Sequence, residues 1–188
     1  RIGREGDMRI LLEKKKRIPS SGHAIIIEGE NLKIDGQPAP NRVYFQKGSV
    51  VAEMDLEHYL KGVVASEMPA SWPFEALKAQ AVASRSYAMG VIRNRQGKFY
   101  HLEATVMNQV FDYPRYKGLL KVYKDKIERV IEETRGEHLI WKKSKRLFKS
   151  YYHAHCGGGT EEARHVWGPK KTMGITLDVG CSMDKRGK

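Results

Sequence analysis

Glu67 lies in the stretch "SEMP", two residues ahead of Pro69 and at the end of an apolar helical pattern. A helix advances about 100° per residue, so relative to Leu60, Val64 falls at roughly +40°, Val63 at roughly −60° and Glu67 at roughly −20°. Glu67 is thus in the middle of the apolar stripe. Desolvation there, together with the negative end of the helix dipole, disfavours the charged carboxylate. A carboxyl group that keeps its proton near neutral pH is what general acid catalysis requires. The structural alternative is a last-turn Glu that bends to solvent or pairs with a Lys.

Lys78 and Arg85, seven residues apart on the next helical pattern, project on nearly one face, and Gln80 projects elsewhere. Such a cationic pair can orient a carboxylate or bind an anionic substrate; the structural alternative is snorkelling at the edge of the core. A third group lies near the C-terminus. His153, His155, Cys156 and the distant Cys181 are metal-capable types, and "GGG" at 157–159, followed by Thr160 and Glu161, lets backbone approach a ligand closely. Two cysteines are too few for a disulfide scaffold; they can form one bridge, bind one metal or stay free.

These residues need elements to position them. Residues 55–68 read as a helix, with Asp55 as N-cap and Leu56, Tyr59, Leu60, Val63 and Val64 at helical spacing. Pro69 ends it. Residues 72–95 read as a longer helix, capped by Ser71, with Pro73 and Glu75 in its first turn. Its many Ala and Ser residues allow close approach by neighbours. Residues 119–134 are helical again and stop at Gly136. Residues 100–118 look irregular. "EHLIW" (137–141) and "RLFKSYYHAHC" (146–156) read as strands, the second placing His153 and His155 on one face and Cys156 on the other. The expected fold is α+β: a helical core with a long Ala-rich central helix packed against small antiparallel β-sheets. Residues 1–54 form a strand-rich segment, part of the same unit or a small lobe, and 55–188 a catalytic core whose C-terminal end reads as cut short.

The chain has 188 residues, 40% hydrophobic and 30% charged, with a net charge of +12. That charge favours polyanionic surroundings: nucleic acid, anionic lipid or an anionic cell wall. No zinc-finger spacing, RNP-type motif or glycine-rich phosphate loop accompanies the basic clusters, so nucleic acid is not the expected partner. No apolar run is long enough to span a membrane, and the first residues lack the apolar stretch of a signal peptide. A membrane anchor and a targeting segment are therefore not expected within this chain.

Two stretches, "YLKGVVASEMPASWPFEALKAQAVASRSYA" and "YYHAHCGGGTEEARHVWG", resemble the hallmark blocks of the stage II sporulation protein D family, also called the amidase-enhancer family. Between them, "NQVFDYPRY" resembles that family's intervening segment. The resemblance implies a lytic transglycosylase of bacterial peptidoglycan that acts on glycan strands stripped of stem peptides, outside the cytoplasm and often beside a cell-wall amidase. It implies Glu67 as the catalytic residue. Substrate contacts would come from Lys78, Gln80 and Arg85, and from Tyr151, Tyr152, His153, Thr160 and Glu161. It also implies a structural zinc near the second block, for which His153, His155, Cys156 and Cys181 are the candidate ligands.

Glycosidases that hydrolyse usually need two carboxyl groups. A transglycosylase can use one group twice, as acid and then as base, and no second acid stands at obvious motif spacing here. That chemistry requires no cofactor. The competing readings are a non-catalytic wall-binding module that enhances an amidase, and a zinc hydrolase built on His153, His155 and Cys156.

Overall fold

A computed structural model describes residues 8–14, 25–46, 48–153, 165, 166 and 168. The chain divides into two compact units, Arg1–Ser150 and Tyr151–Lys188. The first is α+β. Its main sheet holds β1 (Met8–Lys14), β2 (Ile25–Glu28), β5 (Arg42–Gln46), β6 (Ser49–Met54) and β7 (Leu102–Glu103) in the order β2-β5-β6-β1-β7. All pairings are antiparallel except that of β1 with β7. Strands β3 (Lys33–Ile34) and β4 (Gln37–Pro38) make a separate hairpin.

Alternation sorts the sheet residues onto two faces. The register aligns Ile10 with Ala52 and Ala52 with Val43, and all three are buried. The opposite face aligns Leu11, Val51 and Tyr44, which form their own cluster under Phe99 and Tyr100. Next to that cluster Glu53 is 5% exposed. Arg9 reaches it at 2.9 Å, Arg42 at 3.0 Å and the Tyr44 hydroxyl at 2.9 Å. Two guanidinium groups and a hydroxyl satisfy a carboxylate that would be costly to bury alone.

Helix α1 spans Leu56–Glu67. Asp55 caps it by accepting from the His58 amide at 2.9 Å. Met68 leaves the helix in an extended conformation, as a residue before proline must. Helix α2 spans Phe74–Asn94 and starts later than Ser71 capping would give; Pro73 takes the cap position with no side-chain cap bond. The cause is a turn over 69–72, closed by the Trp72 amide on the Pro69 carbonyl at 3.0 Å. Helices α3 (Tyr113–Gly118) and α4 (Lys121–Glu133) follow. Helix α1 packs against α2, α3 and α4.

The extended strands expected at 137–141 and 146–156 do not form within the described residues. A single bridge joins Ile140 to Leu147 across a turn in which Lys145 has φ 55°. The Trp141 and Phe148 amides bond across the turn to the Arg146 and Leu139 carbonyls, and two other polar groups go to α2. The Leu139 amide donates to Ser86 Oγ at 2.8 Å, and Ser150 Oγ donates to the Ala83 carbonyl. Gly90 lets the Lys149 chain lie directly on the helix, since a Cβ there would meet Lys149 Cβ at 2.8 Å. The small residues of α2 serve this close approach.

A second close approach is tighter in consequence. A Cβ on Gly62 of α1 would lie 2.6 Å from Phe111 Cε2. Phe111 is buried and stacked on Tyr59 at 5.2 Å. Gly62→Ala gains about 1 kcal/mol of helix propensity but forces an overpacked ring to move, at about 1–3 kcal/mol. The expected outcome is a net loss of about 1 kcal/mol in urea unfolding; equal or greater stability would show that Phe111 has room to shift.

Candidate functional site

Glu67 is the last residue of α1 and is half-buried. Its Oε1 accepts a hydrogen bond from the Val110 backbone N–H at 3.3 Å. The helical pattern alone places a carboxylate in an apolar stripe; the structure adds a polar donor that offsets part of the burial. Val110 belongs to the run 108–111, and each residue of that run is tied to α1 or α2. Asn108 Nδ2 donates to the Tyr87 hydroxyl at 3.3 Å. Gln109 Nε2 donates to the Ser84 carbonyl at 3.2 Å, and Gln109 Oε1 accepts from the Tyr59 hydroxyl at 3.2 Å. Phe111 fills the space over Gly62. Val110 borders a cleft of about 330 Å³ shared with Val50, Ala104 and Tyr113.

Arg85 is 1% exposed and pairs with Glu57 through two bonds of 2.9 and 2.6 Å. It also donates to the Glu137 carbonyl at 3.0 Å and to Thr134 Oγ1 at 3.4 Å. The carboxylate it orients is thus Glu57, in the first turn of α1. Glu57 and Glu67 stand at opposite ends of that helix, roughly 15 Å apart along its axis at 1.5 Å per residue. Lys78 shares the α4-facing side, 3.5 Å from both Glu75 and Glu133. Gln80 is buried and donates to Ser84 Oγ at 2.9 Å. Lys78 and Arg85 therefore meet around the end of α4.

Tyr151, Tyr152 and His153 open the second unit; the tyrosines are half-buried and His153 is exposed. His155, Cys156, Thr160, Glu161 and Cys181 lie outside the described residues. Of the candidate zinc ligands only His153 is described, and among the described residues no group of three or more His, Cys, Asp or Glu side chains is placed to hold a metal. No described helix is long and apolar enough to cross a membrane.

Sequence reasoning missed Val110, Gln109 and Tyr59. A backbone amide has no side-chain signature, and Tyr59 reads simply as part of the apolar stripe. The one available signal was "NQVF" within the family-like middle segment.

His58 adds a titratable group to the α1–α3 contact, stacked on Tyr113 at 5.5 Å with its Nε2 buried and unpartnered. Burial, then the Lys61 charge, holds its pKa below 6.5; burial and Arg9 do the same for His101. The unfolded chain therefore takes up these protons first. The stability they contribute is complete above their ordinary value of 6.5 and declines as pH falls below it toward the folded values. Denaturation midpoints should drop between about pH 7.5 and 5.5, and His58→Phe should flatten that drop. An unchanged slope would remove His58 from the account. Arg85→Met should cost about 3–5 kcal/mol, because Glu57 is left without its partner. Thermal unfolding reads this, and a shift under about 1 kcal/mol would mean that water reaches the pair.

The family model for the stage II sporulation protein matches residues 44–141, which include the first block and the middle segment but stop before Tyr151. An uncharacterized protein of Brachyspira hyodysenteriae is 38% identical over 120 residues, 63% of this chain and 30% of its own length. The amidase enhancer of Bacillus subtilis is 34% identical over 108 residues, 57% of this chain and 13% of that protein. Stage II sporulation protein D of the same organism is 31% identical over 150 residues, 73% of this chain and 42% of that protein. The chain spans less than half the length of each of these relatives. With the motif glutamate, its helix and the middle segment all inside a match over half the chain, the protein belongs to the stage II sporulation protein D family.

Proposed function

We propose that this chain is a lytic transglycosylase that cleaves peptidoglycan glycan strands stripped of stem peptides. The observation that carries the reading is the placement of Glu67: half-buried at the end of α1, with one oxygen held by the Val110 amide. Burial favours the protonated form and the amide favours the ionised one. A group that acts first as acid and then as base needs both forms within reach.

Protonated Glu67 gives its proton to the glycosidic oxygen that leaves C1 of N-acetylmuramic acid. The C1–O bond breaks and the positive charge develops on the sugar ring. The C6 hydroxyl oxygen of the same sugar then bonds to C1, and its proton returns to the Glu67 carboxylate. The products are a 1,6-anhydro end and a free 4-hydroxyl, with no water consumed. The net charge of +12 suits an anionic wall. Of the residues expected to bind substrate, Arg85 and Gln80 are buried and bonded inside the helical layer, so their proposed role is to hold the fold; Lys78, Tyr151, Tyr152, His153, Thr160 and Glu161 remain proposed substrate contacts. The site of action is extracytoplasmic, with a cell-wall amidase as a partner.

The name of one relative, amidase enhancer, favours a second reading: a wall-binding module that assists an amidase without cutting glycan. Digestion of denuded strands, read by mass spectrometry, separates the two. Anhydro-muramyl ends from the wild type, reduced by about 10²–10⁴ in Glu67→Gln, support the first. Binding without cleavage by either protein supports the second. Chelator-sensitive cleavage with ordinary reducing ends that survives Glu67→Gln would replace both with hydrolysis.

A further inference from the structure

Four consecutive residues, 108–111, attach to five points on α1 and α2. Asn108 bonds Tyr87, Gln109 bonds Ser84 and Tyr59, Phe111 packs on Gly62, and the Val110 main chain bonds Glu67. Gln109 is the most constrained: it is 2% exposed, and its amide bridges the Ser84 carbonyl of α2 and the Tyr59 hydroxyl of α1. Tyr59 is itself fully buried. Fixing the Gln109 side chain to both helices fixes the backbone one residue on. The N–H of Val110 is then aimed at Glu67 Oε1.

An N–H group can only donate. In a neutral carboxyl group the carbonyl oxygen is the better acceptor and the hydroxyl oxygen carries the hydrogen. We propose that Gln109 is a positioning residue that acts through the Val110 amide: the amide holds Oε1 of Glu67 as its acceptor and so fixes the direction of the carboxyl group. This assignment rests on the transglycosylase reading for its catalytic meaning, but the geometry of the carboxyl group does not depend on it. A carboxyl group held in one direction meets the sugar oxygens in the same orientation in both halves of the reaction.

The direct test replaces Val110 with its α-hydroxy acid, which turns the amide into an ester and removes one hydrogen with little change of shape. The titration of the Glu67 side-chain carbon is followed by carbon-13 NMR, assigned by comparison with Glu67→Gln. Loss of a donor to the charged form should move that titration upward by about one unit. The basic limb of the kcat profile should move with it, and kcat should fall on the order of tenfold with KM unchanged. A role confined to folding would lower the active fraction and leave the titration where it was. If the ester-bearing chain does not fold, Gln109→Asn serves, since it keeps donor and acceptor but shortens the strut by one methylene. The same upward movement is expected from it. An unmoved Glu67 titration in a folded variant overturns the proposal. A moved titration in a protein that cleaves no glycan would leave the positioning intact and remove the transglycosylase reading.

Discussion

The helical half of the molecule is organised around one buried guanidinium. Arg85 projects from α2, grips Glu57 at the start of α1, and donates to Thr134 and Glu137 just beyond α4. Three helices are thereby tied at one point, by a group whose charge could not be buried without its carboxylate. The rest of α1 is then a rigid lever. Its first turn is anchored by ionic hydrogen bonds, its middle by aromatic packing of Tyr59 with Phe111, and its last residue is Glu67. The position of the carboxyl group follows from the helix length and from the anchor at the opposite end.

Charge is handled differently at the two ends. Glu57 and, on the sheet, Glu53 are neutralised by arginine. At Glu67 a main-chain N–H is one of the partners. Arginine beside a carboxylate holds it with charge-assisted hydrogen bonds, which suits a strut. An amide donor fixes the direction of one oxygen. The distinction separates carboxylates locked by arginine from one oriented by the main chain.

Much of this was legible in the sequence. Asp55, the spacing from Leu56 to Val64 and Pro69 define α1 closely, because capping, periodicity and the constraint before proline are all local. The second helix was legible for the same reason, although a turn over 69–72 moved its start. The α+β class was also readable. What escaped were segments satisfied at long range. The stretch after Glu137 alternates like a strand, yet the Leu139 amide and the Ser150 hydroxyl go to Ser86 and Ala83 on a helix rather than to a neighbouring strand. The run at 108–111 has no period at all; its bonds reach residues 21 to 50 positions away. Arg85 was visible as a cation on an apolar helix, but nothing in the sequence paired it with Glu57.

The sheet order carries a consequence for how the chain is made. Strand β1 sits between β6 and β7, so Met8–Lys14 is interior to the sheet while both neighbours come later in the sequence. During synthesis Met8–Lys14 gains its antiparallel neighbour only once residue 54 has emerged, and its parallel one only after residue 103. Until then Ile10 and Leu11, buried in the finished protein, are exposed apolar groups on an unpaired strand, open to wrong pairing. The bulge between Leu11 and Glu13 interrupts regular pairing near the end of that strand, and makes it a poorer template for a second chain during the wait.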